Sequence, residues 1–192
     1  SVNYEITSWA DASTALADAA GMADFPTALA VSAYGRFVRG DMQTAVDLAR
    51  RALDASGGSE FSTSALPERV LGNALFYMEQ TEEAMHWMDR MQLSARQAGS
   101  PGGIAHALYM QSVGQTSVGD EIRGAVLAGE ARAAADAVGS PTARAQADYA
   151  LGLALESTDP VEALELLQRA ARVGAEAGNR WIEAFALTEV HS

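Results

Sequence analysis

Cysteine and lysine are both absent from the 192 residues, and proline occurs only five times. Without cysteine there is no disulfide, no thiolate nucleophile and no cysteine metal cluster. Without lysine there is neither a Walker A loop nor a Schiff-base amine. No apolar run approaches the roughly 18 residues that a membrane span requires. The chain opens at Ser1 with neither a basic n-region nor a long apolar stretch, so no secretory signal is read from it. Positive charge is scarce: 13 basic residues, all arginine, face 25 acidic ones for a net charge of -12. Nucleic-acid binding needs clustered cations to displace counterions from phosphate. Arg50 and Arg51 are the only adjacent pair, so no partnership with nucleic acid or with an anionic membrane is expected.

What the chain does have is alanine, 40 residues of it, with leucine at helical spacing and few β-branched residues. This predicts an all-α chain. A repeat runs through it. Gly99-Ser100-Pro101 returns as Gly139-Ser140-Pro141 and then as Gly178-Asn179-Arg180, at steps of 40 and 39. Ala45, Ala84, Ala125 and Ala163 recur at steps of 39, 41 and 38. A hydrophobic pair followed by glycine recurs as Val70-Leu71-Gly72, Ser112-Val113-Gly114 and Ala150-Leu151-Gly152.

Each period holds two helices whose ends carry physical signals. Ser100-Pro101, Ser140-Pro141 and Asp159-Pro160 place a side-chain oxygen at the N-cap and proline at the first helical position, where its missing N–H costs nothing. Gly40-Asp41 and Gly119-Asp120 read as turns with a capping aspartate, and glycines 99, 139 and 178 suit the left-handed residue that ends a helix. Arg39-Gly40-Asp41 spells an adhesion tripeptide, but reads better as such a turn. The predicted helices are 3–20, 27–39, 41–56, 63–79, 81–98, 102–117, 120–138, 141–156, 160–177 and 180–191. Gly72 and Gly152 are predicted to face Ala84 and Ala163 across antiparallel pairs, with Leu71, Leu75 and Met88 or Leu151, Leu155 and Leu167 flanking the seam. Met85, Met88 and Met91, with Met78 and Met110, are expected to fill the core rather than form a soft binding groove.

These residues resemble the tetratricopeptide repeat. Leu71-Gly72, Ala84, Met88 and Met91 follow its order, as do Leu151-Gly152, Ala163, Leu167 and Ala170. Ala33, Ala45, Ala49 and Ala52 keep the small positions of an earlier pair without the glycine. The third pair fits worst, with Gly129 and Arg132 in the last two places, and the period is 38–41 rather than the family's roughly 34. The resemblance implies a right-handed superhelix of about five antiparallel helix pairs, in one repeat domain over 1–192.

The alanine-rich tails ending in Gly-Ser or Gly-Asn, the stretch Arg180–Leu187 and Trp9-Ala10-Asp11-Ala12 also resemble the helical tails of large bacterial signal-transducing ATPases. These are the maltose-regulator-like transcription activators and their cyclase-linked actinobacterial relatives. That likeness implies a cytoplasmic fragment of a longer regulator, with ATP used only in a separate ATPase domain and no cofactor in this segment. The unpartnered first and last helices fit an excised stretch.

Catalytic chemistry is not expected. None of His86, His106 and His191 pairs with another at helical spacing, so no zinc-helix signature exists and no metal site is expected. Carboxylates such as Glu82-Glu83 and Glu162/Glu165 fall on solvated faces, and none is expected in an apolar pocket. No Gly-x-Ser-x-Gly elbow occurs.

The resemblance instead points to the inner face lined by the first helix of each pair. Its groove positions carry over to Ala30, Tyr34 and Phe37, then Arg69, Asn73, Phe76 and Tyr77. Gln111 and Gln115 follow, then Tyr149, Leu153 and Glu156. Aromatics with arginine, asparagine and glutamine suit a peptide, a protein partner or a small polar inducer. The alternative is that Tyr34, Phe37 and Phe76 only seal the stack. A second functional reading is an adaptor that self-associates, as a homodimer, through Tyr4 and Trp9 or through Trp181 and Phe185.

Overall fold

The computed structural model describes residues 2–20, 25–56 and 65–191, with the side chains of a few residues in the first helix left aside. Among the described residues every regular element is a helix: α1 (Val2–Ala20), α2 (Pro26–Val38), α3 (Met42–Ala55), α4 (Leu66–Tyr77), α5 (Thr81–Gln97), α6 (Pro101–Ser117), α7 (Glu121–Val138), α8 (Pro141–Leu155), α9 (Pro160–Glu176) and α10 (Arg180–Val190). Each predicted helix is present, with ends within three residues wherever they fall on described positions. The predicted start at residue 63 lies outside them.

The helix ends form for the reasons the sequence suggests. Asp41, Ser100, Asp120, Ser140 and Asp159 each accept a hydrogen bond from the backbone N–H three residues on. Asn179 does the same for α10. Gly99, Gly139 and Gly178 take φ of +59°, +68° and +73°, a region that costs an L-residue about 1 kcal/mol or more. The α4–α5 turn departs from this pattern. Glu79, with φ +61°, stands where the α2–α3 and α6–α7 turns have Gly40 and Gly119.

The chain divides into two compact units, Ser1–Ser94 and Ala95–Ser192, with the division near the end of α5. In the first unit α2 packs on α3, α3 on α4 and α2 on α4; in the second α6 packs on α7, α8 on both α7 and α9, and α9 on α10. The pair seams are built from small residues. A Cβ added at Gly72 would lie 3.0 Å from Met88 Cγ and one at Gly152 2.8 Å from Leu167 Cγ, with the carbonyls of Ala84 and Ala163 just beyond. The glycines are therefore what lets these helices approach closely. Met88, Met91 and Met110 are buried, as expected of that stripe, whereas Met78 and Met85 are half-buried.

The third pair corrects the sequence reading. Its seam is made by Ser112, whose Oγ donates to the Gly124 carbonyl at 2.7 Å. A side chain at Gly124 would collide with Thr116 Oγ1. Gly124, Ala128 and Ala131 are buried, whereas Ala125 and Arg132 are half-buried and Gly129 is exposed. The expected landmarks Gly114 and Ala125 are thus out of register, by two residues on α6 and one on α7. In the correct register the third pair reads Ser112, Gly124, Ala128, Ala131. It parallels Ala33, Ala45, Ala49, Ala52 and is no longer the worst fit.

Candidate functional site

The seam residue fixes which side of a first helix faces away from its partner. Residues three before, one after and four after it lie on one stripe at helical spacing. From Ala33 on α2 the stripe is Ala30, Tyr34 and Phe37; from Gly72 on α4 it is Arg69, Asn73 and Phe76. Because α2 packs on α4, the two stripes meet. The Arg69 guanidinium lies over the Tyr34 ring, with Cζ 5.7 Å from the ring centroid. Phe37 and Phe76 both meet Tyr77, at centroid distances of 6.1 and 6.3 Å. Asn73, between them on α4, is buried. Tyr77 remains 43 % exposed.

Electrostatics set Arg69 apart. Burial lowers its pKa from the ordinary arginine value, with Tyr34 opposing the shift, and the guanidinium stays charged. Its Nε is buried without an acceptor, as are those of Arg36 and Arg132, and the residue as a whole is half-buried. Half-buried Arg36, Arg132 and Arg169 each meet an aspartate; Arg69 has no acidic partner among the described residues. Burial also pushes the Tyr77 hydroxyl up.

In the second unit α6 packs on α8 and the seam residues are Ser112 and Gly152. The matching stripes are His106, Tyr109, Val113 and Thr116 on α6, and Gln146, Tyr149, Leu153 and Glu156 on α8. Gln146 Nε2 lies 3.5 Å from His106 Nδ1, and His106 packs on Tyr109 at 5.7 Å. Tyr149 packs on Phe185 at 6.3 Å, and Phe185 on Trp181 at 5.7 Å. Burial and two neighbouring carboxylates, Glu189 and Glu121, raise the Glu156 pKa.

The structure therefore joins Tyr34 to Arg69, and Phe37 to Phe76 through Tyr77, and it places Tyr149 beside Phe185. Gln111 is buried and Gln115 half-buried, at the repeat positions held elsewhere by Leu71 and Leu75 of the seam. His106 and Tyr109 hold the corresponding stripe positions on α6 and were not singled out. The 40-residue step of Gly-Ser-Pro, carried through α6, aligns Tyr109 with Tyr149 and would have found them.

Two carboxylates that the sequence reading did not single out are buried. Asp148 on α8 is 3 % exposed and Glu68 on α4 is 4 % exposed. Asp148 takes hydrogen bonds from Arg169 Nε and Nη2 at 2.7 and 3.1 Å, and a further one from Arg132 Nη1. That bond to Asp148 is the main reason the Arg169 pKa rises. Glu68 Oε1 accepts from Ser94 Oγ at 3.3 Å, while Oε2 is buried without a partner. Both acids precede a stripe residue by one position and turn toward the second helices.

Two histidines lie at the surface: His86 packs edge-on against Trp87 at 5.6 Å, and His191 Nδ1 lies 2.6 Å from the Leu187 carbonyl. Among the described residues no three His, Cys, Asp or Glu side chains are grouped to hold a metal ion. Nor is any helix long and apolar enough to cross a membrane. What the two stripes offer is recognition chemistry: ring faces, amides and one desolvated cation.

No family model and no curated protein matches the chain. Solved structures do. One is the crystal structure of Rap protein complexed with competence and sporulation factor, with a TM-score of 0.76 and 15 % identity over 86 % of this chain and 47 % of that one. The chain spans about half the length of that protein. At this identity the likeness is one of fold, and with the ten helices it makes the chain a tetratricopeptide-like helical repeat.

Proposed function

We propose that the chain is the protein- or peptide-binding helical repeat of a bacterial regulatory protein, and that the first-helix stripes are its binding surfaces. The observation that carries this reading is the Tyr34–Arg69 cation–π contact beside the Phe37, Phe76 and Tyr77 rings. A desolvated cation and exposed ring surface are what partners are recognised by. The fold of Rap protein, solved in complex with competence and sporulation factor, supports the same class of act. A small inducer is an alternative occupant. The regulatory role, and an ATPase domain elsewhere in the parent protein, rest on the resemblance of the alanine-rich tails. A partner would act by binding one arrangement of the helix pairs more tightly than another, and only by that difference in affinity.

The test is a random peptide library selected on the full chain, with the enriched peptides measured against the Arg69→Ala/Asn73→Ala double variant. We expect weaker binding with unchanged helical circular dichroism. Binding unaltered in that variant would sink the assignment of the α2/α4 stripe.

Self-association has an observation of its own, since Trp9 and Trp181 are 69 % and 51 % exposed. Tyr4, its other expected contributor on α1, has a side chain outside the described residues. Sedimentation equilibrium of the protein and of Trp181→Ala decides this: a dimer lost on substitution supports an adaptor, and a monomer at all concentrations removes it.

A further inference from the structure

We infer that the α2/α4 stripe selects an acidic segment of a protein partner, a side-chain carboxylate docking on Arg69 while an apolar side chain lies on the Phe37, Phe76 and Tyr77 rings. The inference rests on the reading of this stripe as a binding surface and adds the chemistry of its occupant.

The reasons lie in how Arg69 is held. The Arg69 Cζ lies 5.7 Å from the centre of the Tyr34 ring, and a guanidinium fork can give two parallel hydrogen bonds to a carboxylate. Its Nε has no acceptor and no acid among the described residues answers its charge, so a half-buried cation lacks the partner that such a group requires. Asp148 shows the answered case, with Arg169 forked onto its carboxylate. The protein's net charge of -12 repels an acidic chain at long range, so attraction has to come from local contacts at Arg69 and the rings. The ring cluster lies further along the same helix. Arg69 and Phe76 are seven residues apart, about 10 Å along the axis, and an extended chain covers that distance in about three residues. A side-chain carboxylate on Arg69 is compatible with a segment that continues in both directions, a terminal one only with a segment that ends there.

The probes follow from that spacing. They are acetyl-Glu-Ala-Ala-Phe-amide, its glutamine counterpart acetyl-Gln-Ala-Ala-Phe-amide, and acetyl-Phe-Ala-Ala-Gln with a free terminal carboxylate. Each is titrated into the full chain to about 20 mM, a range that captures millimolar affinity, while the Arg69 Nε–Hε resonance is followed by NMR. The glutamate peptide is expected to shift that resonance saturably and to bind at least about tenfold more tightly than the glutamine peptide. Arg69→Gln should erase the difference, and Arg69→Lys, which keeps charge but loses the fork, should recover only part of it.

Equal affinity of the glutamate and glutamine peptides, or no saturable shift with any probe, would overturn the inference. Preference for the free terminus would overturn the choice of a side chain. If library peptides bind the α2/α4 stripe without enrichment in acidic residues, the surface stands and its acidic occupant falls. If no peptide binds there at all, both fall.

Discussion

At one repeat position each unit buries an acid, and the two acids live differently. Asp148 in the second unit is held by two guanidiniums from α7 and α9. Among the described residues Glu68 in the first receives the Ser94 hydroxyl alone and leaves an oxygen without a partner. The residue that follows differs as well: Tyr149 in the second unit, Arg69 in the first. In the second unit the arginines stand on the second helices and are consumed inside the fold. In the first, the arginine stands on the face, and neither the buried acid nor any other described one answers it. At this repeat position the second unit thus has its charges paired, while the first has a cation with no acid among the described residues.

Five substitutions test how far that contrast extends, beginning with the seams beneath both stripes. Gly152→Leu should cost about 3 kcal/mol, because its added atoms meet the branched Leu167 and overpack the pair. Gly72→Leu should cost less, since the atom in its way belongs to Met88, an unbranched chain that can move aside. Urea denaturation of both variants reads the order, and an equal loss would remove the distinction between the seams.

The acids come next. Asp148→Asn should cost about 2 kcal/mol, because two arginines lose their charged acceptor; both are partly exposed and can turn to water, which limits the loss. Glu68→Gln should stay within about 0.5 kcal/mol or gain stability, since a neutral amide is cheaper to bury than an unanswered carboxylate. Equal losses in urea unfolding would show that the two acids are held alike after all. The smallest effect is at the α4–α5 turn. Glu79→Gly should raise stability by about 0.5–1 kcal/mol, since it relieves a left-handed residue that Gly40 and Gly119 avoid in the equivalent turns. A lower melting temperature would mean that the Glu79 side chain contributes more than its backbone strain costs.

Much of the fold was legible because its signals are local. Caps such as Ser140-Pro141 and helix ends such as Gly139 act through their own backbone, so ten helices could be drawn from residue type and spacing. The candidate site was legible in part. The stripe on α2 and α4 follows from Ala33 and Gly72, whose small size marks the seam. On α6 the same logic slipped, because Ser112 is small enough to make the seam while nearby Gly114 looks more like the repeat's glycine. Gln111 and Gln115 were drawn onto the stripe by that slip, and Tyr109 and His106 were passed over.

The sequence by itself determined the helices, their pairing and the absence of thiol and lysine chemistry, since these depend on residue identity and on interactions within a few positions. Only the tertiary structure decided which charges are answered. Whether Asp148 meets Arg132 and Arg169, or Arg69 meets Tyr34 and no described acid, depends on side chains 16 to 35 residues away that helix packing brings within a few ångströms. Periodicity does not encode those meetings, because a shift of one residue along a helix turns a side chain by about 100° and exchanges a buried partner for water.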